Sequence, residues 1–218
     1  MKKIVAILFI MAIISGSSLY AIDVDDLNYI LFDNTTDNDI EYIFISPADS
    51  DYWGPEVLGS EWVLSAGGQL GYFILYPHES DDFDIMVIDS EQNVHIAWDF
   101  TISDDEEASL VLTSVNMNDD PVNLSTLEVN IINDVNDIYY LFISPSDSEM
   151  WGVDFLDENT ILETENKVSF VFPLQDATVG YDLLAIDEEG NAYQLYFEVD
   201  ETSTDMEFHI AKENLMIE

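Results

Sequence analysis

Three pairs of aspartates recur at a fixed spacing in this chain, and their side chains are suited to binding a hard cation. Calcium takes several oxygen ligands that converge from loops. The paired residues stand 98 positions apart and are Asp49 and Asp147, Asp84 and Asp182, and Asp89 and Asp187. We expect no resident cofactor, with calcium as the alternative that these acids leave open. For Asp89 and Asp187 the competing interpretation is a hairpin turn, in which Asp and Asn bond to their own backbone.

Side chains for covalent catalysis or zinc binding are few. The chain has no Cys and no Arg, and none of its three histidines (His78, His95 and His209) has a counterpart at the 98-residue spacing. A histidine-based triad needs a positioned nucleophile and an orienting acid, and a zinc site needs three or four converging ligands. We therefore predict that the protein is not an enzyme.

Aromatic residues offer a third chemistry, the stacking of sugar rings. The candidates are Trp62, Trp98, Tyr72, Tyr76, Tyr193 and Tyr196. In a β-sandwich such rings also form core contacts and cross-strand pairs. Trp98 matches Tyr196 at the 98-residue spacing, which favours a packing role. A glycan-binding module is therefore an alternative function.

These residues lie in a domain that is present twice. Residues 40–54 reappear as residues 138–152, and residues 83–89 reappear as residues 181–187 with the same offset, so no net gap intervenes. The sequence predicts two tandem domains, residues 22–120 and 121–218. Each is large enough to bury its own core.

The elements of each repeat resemble short β-strands. Segments rich in Ile, Val, Tyr and Phe alternate with clusters of Asp, Asn, Gly and Ser, as strands alternate with turns. In repeat 1 the predicted strands lie near residues 28–33, 40–46, 62–65, 69–76, 83–89, 93–101 and 107–114. In repeat 2 they lie near residues 127–132, 138–144, 160–163, 167–173, 180–187, 191–199 and 205–211. This count and spacing predict an all-β chain of two tandem immunoglobulin-like β-sandwich domains. The second strand is apolar on both faces, so it is predicted to be central.

The stretch that the two repeats share most closely follows the second strand. Its fixed residues are Ser46, Pro47, Trp53 and Gly54 in repeat 1, and Ser144, Pro145, Trp151 and Gly152 in repeat 2. Proline ends a strand because it cannot donate to the ladder, Asp-Ser can cap a single helical turn, and glycine permits a tight exit. We interpret the stretch as a structural motif whose Trp folds back onto the sandwich. The alternative is a binding loop that presents Asp and Trp.

The motif also carries a resemblance. The order Ile-Ser-Pro-x-Asp-Ser-x-x-Trp-Gly, followed by an aromatic-Asp-Leu/Ile strand and Asp-x-x-Gly-Asn, resembles a repeat of uncharacterised exported bacterial proteins with no assigned activity. The resemblance covers nearly all of both repeats, and repeat 1 departs from it with Gln92 at the place of Gly190. It implies an exported bacterial β-sandwich domain and nothing catalytic.

The first 21 residues have the layout of a secretory signal peptide. Lys2 and Lys3 precede an apolar run over residues 4–14, and a small polar stretch ends at Ala21. This order is typical of export signals, and the run is too short for a membrane span, which takes about 20 residues. We expect cleavage after Ala21, no transmembrane segment afterwards, and a location in the periplasm, at the cell surface or outside the cell. An uncleaved N-terminal anchor is the alternative.

The charge of the chain restricts its partners. It has 46 acidic residues against four basic ones, a formal net charge of −42. This excludes nucleic acid, because phosphate binding needs a cationic surface. The charge fits a solvating surface, a cation-binding surface or a docking surface for a basic partner. The predicted function is a non-catalytic exported structural or binding protein, whose partner is a protein or glycan in the envelope or outside the cell. A calcium-binding module and a glycan-binding module are the alternatives.

Overall fold

The computed structural model describes residues 9–12, 19–22, 27–59, 62–75, 80–103, 108–118, 124–156, 160–204 and 206–216. Most of the predicted signal peptide, Tyr76, His78 and the predicted boundary between the two domains lie outside the described residues. Near the N-terminus, β1 (Phe9–Ala12) and β2 (Leu19–Ile22) pair as antiparallel strands. Within the described ranges, no helix is long and apolar enough to cross a membrane.

Repeat 1 forms two three-stranded sheets. The first sheet consists of β3 (Leu27–Asn34), β5 (Gln69–Leu75) and β8 (Ala108–Leu112). Its middle strand, β3, runs antiparallel to β5 and parallel to β8. The second sheet consists of β4 (Ile40–Pro47), β6 (Ser80–Asp89) and β7 (Val94–Ser103). Its middle strand, β6, is antiparallel to both neighbours.

Repeat 2 has the same architecture. Its first sheet consists of β9 (Thr126–Asn133), β11 (Lys167–Pro173) and β14 (Met206–Ile210), with β9 in the middle. Its second sheet consists of β10 (Ile138–Pro145), β12 (Val179–Asp187) and β13 (Ala192–Val199), with β12 in the middle. A short 3-10 helix, Lys212–Asn214, follows β14. The predicted all-β fold of two tandem immunoglobulin-like sandwiches is confirmed.

Six of the seven strands predicted in each repeat are present, close to their expected ends. The remaining predicted strand, near residues 62–65 in repeat 1 and 160–163 in repeat 2, is reduced to single β-bridges from Leu64 to Ile40 and from Leu162 to Ile138. In repeat 1 the reason is burial, because Leu64 is buried while the preceding Trp62 and Val63 are exposed. One inward side chain is too little to hold a strand against the sheet.

The prediction that β4 is central is wrong, because β6 is the central strand of this sheet. The burial of β4 on both faces therefore has another cause. Ile43 faces the main core and Phe44 faces the opposite side, and both are fully buried. The free edge of β4 is covered by residues 54–58, which we call the crossover segment of repeat 1. In this segment the N–H of Val57 donates to the carbonyl of Ile43 (2.9 Å), and Glu56 forms an isolated β-bridge with Phe44. Residues 152–156, the crossover segment of repeat 2, cover β10 in the same way.

Each repeat has its main core between its two sheets and a smaller cluster on the outer face of the second sheet. In repeat 1 the outer cluster consists of Phe44, Met86, Ile88 and Val94. In repeat 2 it consists of Tyr140, Phe142, Leu184, Ile186 and Ala192. The outer face is therefore apolar at its centre, which is the surface that the motif tryptophans meet.

Candidate functional site

Asp49 and Asp147, the first predicted pair of cation ligands, join the two repeats. The carboxylate of Asp147 accepts hydrogen bonds from the hydroxyl of Ser50 (2.7 Å) and the N–H of Asp51 (3.0 Å). Reciprocally, the carboxylate of Asp49 accepts from the hydroxyl of Ser148 (2.6 Å) and the N–H of Glu149 (3.2 Å). Charge-assisted bonds of this kind are stronger than neutral ones. The duplicated aspartates therefore stabilise the contact between the motif loops, residues 46–54 and 144–152.

The serine and glycine of the motif fix the start of each crossover segment. The hydroxyl of Ser46 accepts the N–H of Gly54 (2.6 Å), and that of Ser144 accepts the N–H of Gly152 (2.7 Å). A Cβ at Gly54 would stand 3.2 Å from the carbonyl oxygen of Ile45. Glycine is favoured there because the crossover backbone passes so close to β4 that a side chain would require a small shift. Pro47 ends β4 as expected, and a β-turn follows in place of the predicted helical turn.

The motif tryptophans pack on the outer faces and not between the sheets. Trp53 lies half-buried on the cluster around Phe44, and Trp151 on the cluster around Phe142. Repeat 2 also holds the backbone of Trp53, because Tyr181 and Gln175 donate to its carbonyl oxygen (2.9 and 3.2 Å). The interpretation of a Trp that folds back onto the sandwich agrees with this geometry.

Each crossover segment also reaches an edge strand of the other repeat. The N–H of Glu56 donates to the carbonyl of Val171 in β11 (2.7 Å), and Val153 forms a bridge to Ile74 in β5. Val153 is buried in the main core of repeat 1. Backbone pairing and core packing thus cross the boundary between the repeats in both directions.

Asp89 and Asp187 organise hairpin turns. Asp89 accepts from the N–H groups of Glu91 and Asn93 and from the side-chain amides of Asn38 and Asn93, all at 2.8–2.9 Å. Burial of this carboxyl would raise its pKa, but the four hydrogen bonds together outweigh burial and hold the pKa of Asp89 below its ordinary value. These contacts are those of the hairpin-turn interpretation.

Asp187 has the same surroundings in repeat 2, with one further donor. It accepts from Glu189, Asn191 and Asn136, and also from the hydroxyl of Tyr193 (3.1 Å). Burial, the charge of Asp187 and the hydrogen bond to it raise the pKa of Tyr193 to about 12. The carboxylate is thereby fixed by donors from three neighbouring segments.

Asp84 and Asp182 lie half-buried at the margin of the outer faces. Oδ1 of Asp84 accepts the N–H of Asp99 (2.9 Å). Burial raises the pKa of Asp182, and a hydrogen bond from Gln194 partly offsets it. The three aspartate pairs do not converge, and no group of three or more His, Asp or Glu in the described part of the chain is arranged to hold a metal ion.

Glu56 and Asp154 are functional-site candidates that sequence reasoning missed. They occupy equivalent positions in the crossover segments and are 2% and 1% exposed. Burial raises the pKa of Glu56 to about 8, although the N–H groups of Leu58, Ile43 and Gly59 donate to its carboxyl and oppose that shift. Asp154 accepts hydrogen bonds from the N–H groups of the two residues of repeat 2 that correspond to Ile43 and Leu58. The 98-residue spacing links the two acids, but among 46 acids that signal is not distinctive.

The predicted aromatic platform is dispersed. Tyr72 and Tyr193 are buried in the cores, and Tyr196 is exposed with its hydroxyl donating to Glu198. Trp62 is 75% exposed and lines a cleft of about 530 Å³, together with mainly apolar residues of repeat 1 and Phe155. Trp98 is 61% exposed, and its ring centre lies 5.7 Å from that of Trp53.

The two histidines among the described residues, His95 and His209, have local partners. His95 Nδ1 lies 3.1 Å from the carbonyl oxygen of Asn116, and His209 Nδ1 lies 2.7 Å from a carboxylate oxygen of Asp134. The hydrogen bond to Asp134 raises the pKa of His209. These contacts do not place His95 or His209 beside a serine or threonine, as a catalytic triad would require.

Comparisons with known proteins assign no family. No family model matches the chain, and no curated protein matches it. Among solved structures, the Bacillus anthracis TIE protein is similar at 13% identity with a TM-score of 0.24. That match covers 85% of this chain and 34% of the TIE protein chain. A likeness this slight assigns neither fold nor function.

Proposed function

We propose that this chain is an exported, non-catalytic binding protein whose two joined β-sandwiches present an acidic surface to a basic partner. The observation that supports the proposal is the charge, 46 acidic residues against four basic ones, with little internal compensation. In the described ranges the ion pairs are those that His209, when protonated, makes with Asp134 and Glu207. Lys167 donates to Asn130 and not to a carboxylate.

The contact between the repeats supports the view that they act together. The residues shared most closely by the two repeats are engaged in that contact, where Asp49 and Asp147 bond across it. The motif loops therefore have a structural explanation that requires no catalysis. Carboxylates elsewhere on the surface attract cations over a distance set by the ionic strength.

Binding of a basic peptide tests the proposal. The purified protein is titrated with a lysine hexapeptide in about 0.15 M NaCl, where screening acts beyond roughly 8 Å. A glutamine hexapeptide is the control. We expect saturable binding of the lysine peptide with a defined low stoichiometry, and none of the glutamine peptide. Absence of saturable binding, or uptake of many peptides per chain, would contradict a docking surface.

Export is tested separately. The signal-peptide prediction requires that protein recovered from outside the cytoplasm lacks residues 1–21, which intact-mass measurement detects. A full-length mass in that fraction would favour the N-terminal anchor.

A further inference from the structure

The outer faces of the two repeats differ where β6 meets β7. In repeat 2 the equivalent strands pair regularly, with Asp182 opposite Tyr196 and Tyr181 opposite Phe197. In repeat 1 the register shifts between Phe83 and Ile85, because β7 has one more residue there than β13. Trp98 and Asp99 together take the place of Tyr196. A bulge of this kind bends a strand and re-aims its side chains.

The bulge places a second indole beside the motif tryptophan. Trp98 is 61% exposed, and its ring is inclined at 37° to that of Trp53. Asp99 adopts a φ of 50°, the left-handed region that few residues other than glycine favour, although Asp tolerates it. Its N–H donates to Asp84, so the strained residue and the carboxylate hold each other in place.

The surroundings of the two indoles are anionic. Asp84 is half-buried on β6 opposite Trp98 and Asp99, Asp99 is exposed, and exposed Asp82 precedes Asp84 on β6. Residues 27–118 contain no Lys and no Arg, so no side chain of repeat 1 brings a permanent positive charge to this face. Indole faces attract cations through their ring quadrupole, and nearby carboxylates add to that attraction.

We propose that Trp53 and Trp98, together with Asp84 and Asp99, form a site for a cationic side chain (a Lys, Arg or methylated ammonium group) of a basic peptide segment. The site deepens the proposed function, on which it rests, by giving the acidic surface a specific contact point. Charge complementarity decides the occupant, because an anionic ligand would be repelled by these carboxylates. Repeat 2 lacks the bulge, so the site belongs to repeat 1.

Indole NMR signals test the site directly. The chain has four Trp residues, so a ¹⁵N-labelled protein gives four indole N–H signals. On titration with the lysine hexapeptide, the signals of Trp53 and Trp98 should shift and those of Trp62 and Trp151 should stay in place. Trp98→Ala should weaken binding about 5- to 20-fold, as loss of a cation–π contact with flanking charges implies.

Two further variants separate the site from general electrostatics. Trp62→Ala removes another exposed indole of the same repeat and should leave the affinity unchanged. Asp99→Asn keeps a residue that tolerates φ near 50° but removes the charge, and should weaken binding about 2- to 5-fold. The melting temperature of each variant should stay close to that of the parent protein.

The outcomes distinguish the two proposals. If the lysine peptide binds the parent and Trp98→Ala equally and no indole signal shifts, the site is wrong while the acidic docking surface stands. If the lysine peptide does not bind at all, both proposals fail. If a neutral glucose hexasaccharide shifts Trp98 and the lysine peptide does not, the surface binds glycans and the cationic occupant is overturned.

Discussion

At the scale of single residues, Glu56 is a buried carboxyl group whose environment differs strongly from water. Its pKa of about 8 in the folded protein stands against an ordinary value of 4.5, and burial is the main cause. Folding therefore favours the protonated form. The contribution of this group to stability is fully present below pH 4.5 and is lost as the pH rises through about 8.

Glu56→Gln should remove this part of the pH dependence. The free energy of unfolding of the variant relative to the parent should rise by about 4 kcal/mol between pH 5 and pH 8.5, since one pKa unit corresponds to about 1.4 kcal/mol. Denaturant titrations at several pH values measure it. Glu128→Gln, at an exposed position on β9, is the control and should follow the parent. A constant difference between Glu56→Gln and the parent would show that Glu56 is ionised in the folded state.

At the scale of elements, each motif loop is attached to its own outer face by a tryptophan. Trp151 is half-buried against Phe142, Leu184 and Ile186. Trp151→Ala should lower the free energy of unfolding by about 1–3 kcal/mol, less than for an indole inside a core. Trp62→Ala, which loses a mostly exposed ring, should cost less than about 0.5 kcal/mol. Chemical denaturation followed by circular dichroism compares them, and equal losses would argue against the packing role of Trp151.

The bonds between the motif loops predict a measurable coupling across the repeats. Ser50→Ala and Asp147→Ala should be non-additive by about 0.5–1 kcal/mol in a double-mutant cycle, because the hydroxyl of Ser50 bonds that carboxylate. The control cycle pairs Asp147→Ala with Thr101→Ala, whose hydroxyl bonds Asp82 within repeat 1. Additivity in the first cycle would mean that the contact contributes nothing to stability.

At the scale of the whole molecule, repulsion among carboxylates is the dominant long-range force. Lys167 and Lys212 are the two basic side chains in residues 22–218, which contain 46 acids. The melting temperature should therefore rise steadily with NaCl from low to about 1 M, and also from pH 7 to pH 5. Asp89 does not oppose the trend, because its lowered pKa gives stability that is lost below its ordinary value of 3.8.

Calcium at matched ionic strength separates screening from specific sites. A rise in melting temperature that calcium produces and NaCl does not would favour the calcium-binding alternative, since a ligand that binds the folded state stabilises it. A melting temperature that is flat in NaCl and falls toward pH 5 would show that specific acid interactions dominate.

The sequence was informative where structure is periodic and less so where one residue changes a register. Alternation of Ile, Val and Tyr placed twelve strands, because burial on a sheet face repeats every second residue. The bulge at Asp99 escaped detection because matching Trp98 to Tyr196 at one fixed spacing conceals a single inserted residue. Asp49 and Asp147 were predicted as cation ligands because the local sequence does not show which segment of the other repeat a carboxylate contacts.

The reciprocal contact of the motif loops has a consequence for how the chain is built. Each loop offers a Ser and an Asp to its copy and receives the same pair, which is the isologous geometry of a twofold homodimer. One repeat with this surface is self-complementary, and joining two copies in one chain makes their association independent of concentration. Covalent fusion also removes the requirement that the two copies have the same sequence. A change on one outer face then leaves the other unaltered, and the two repeats differ in this way at the extra residue beside Trp98.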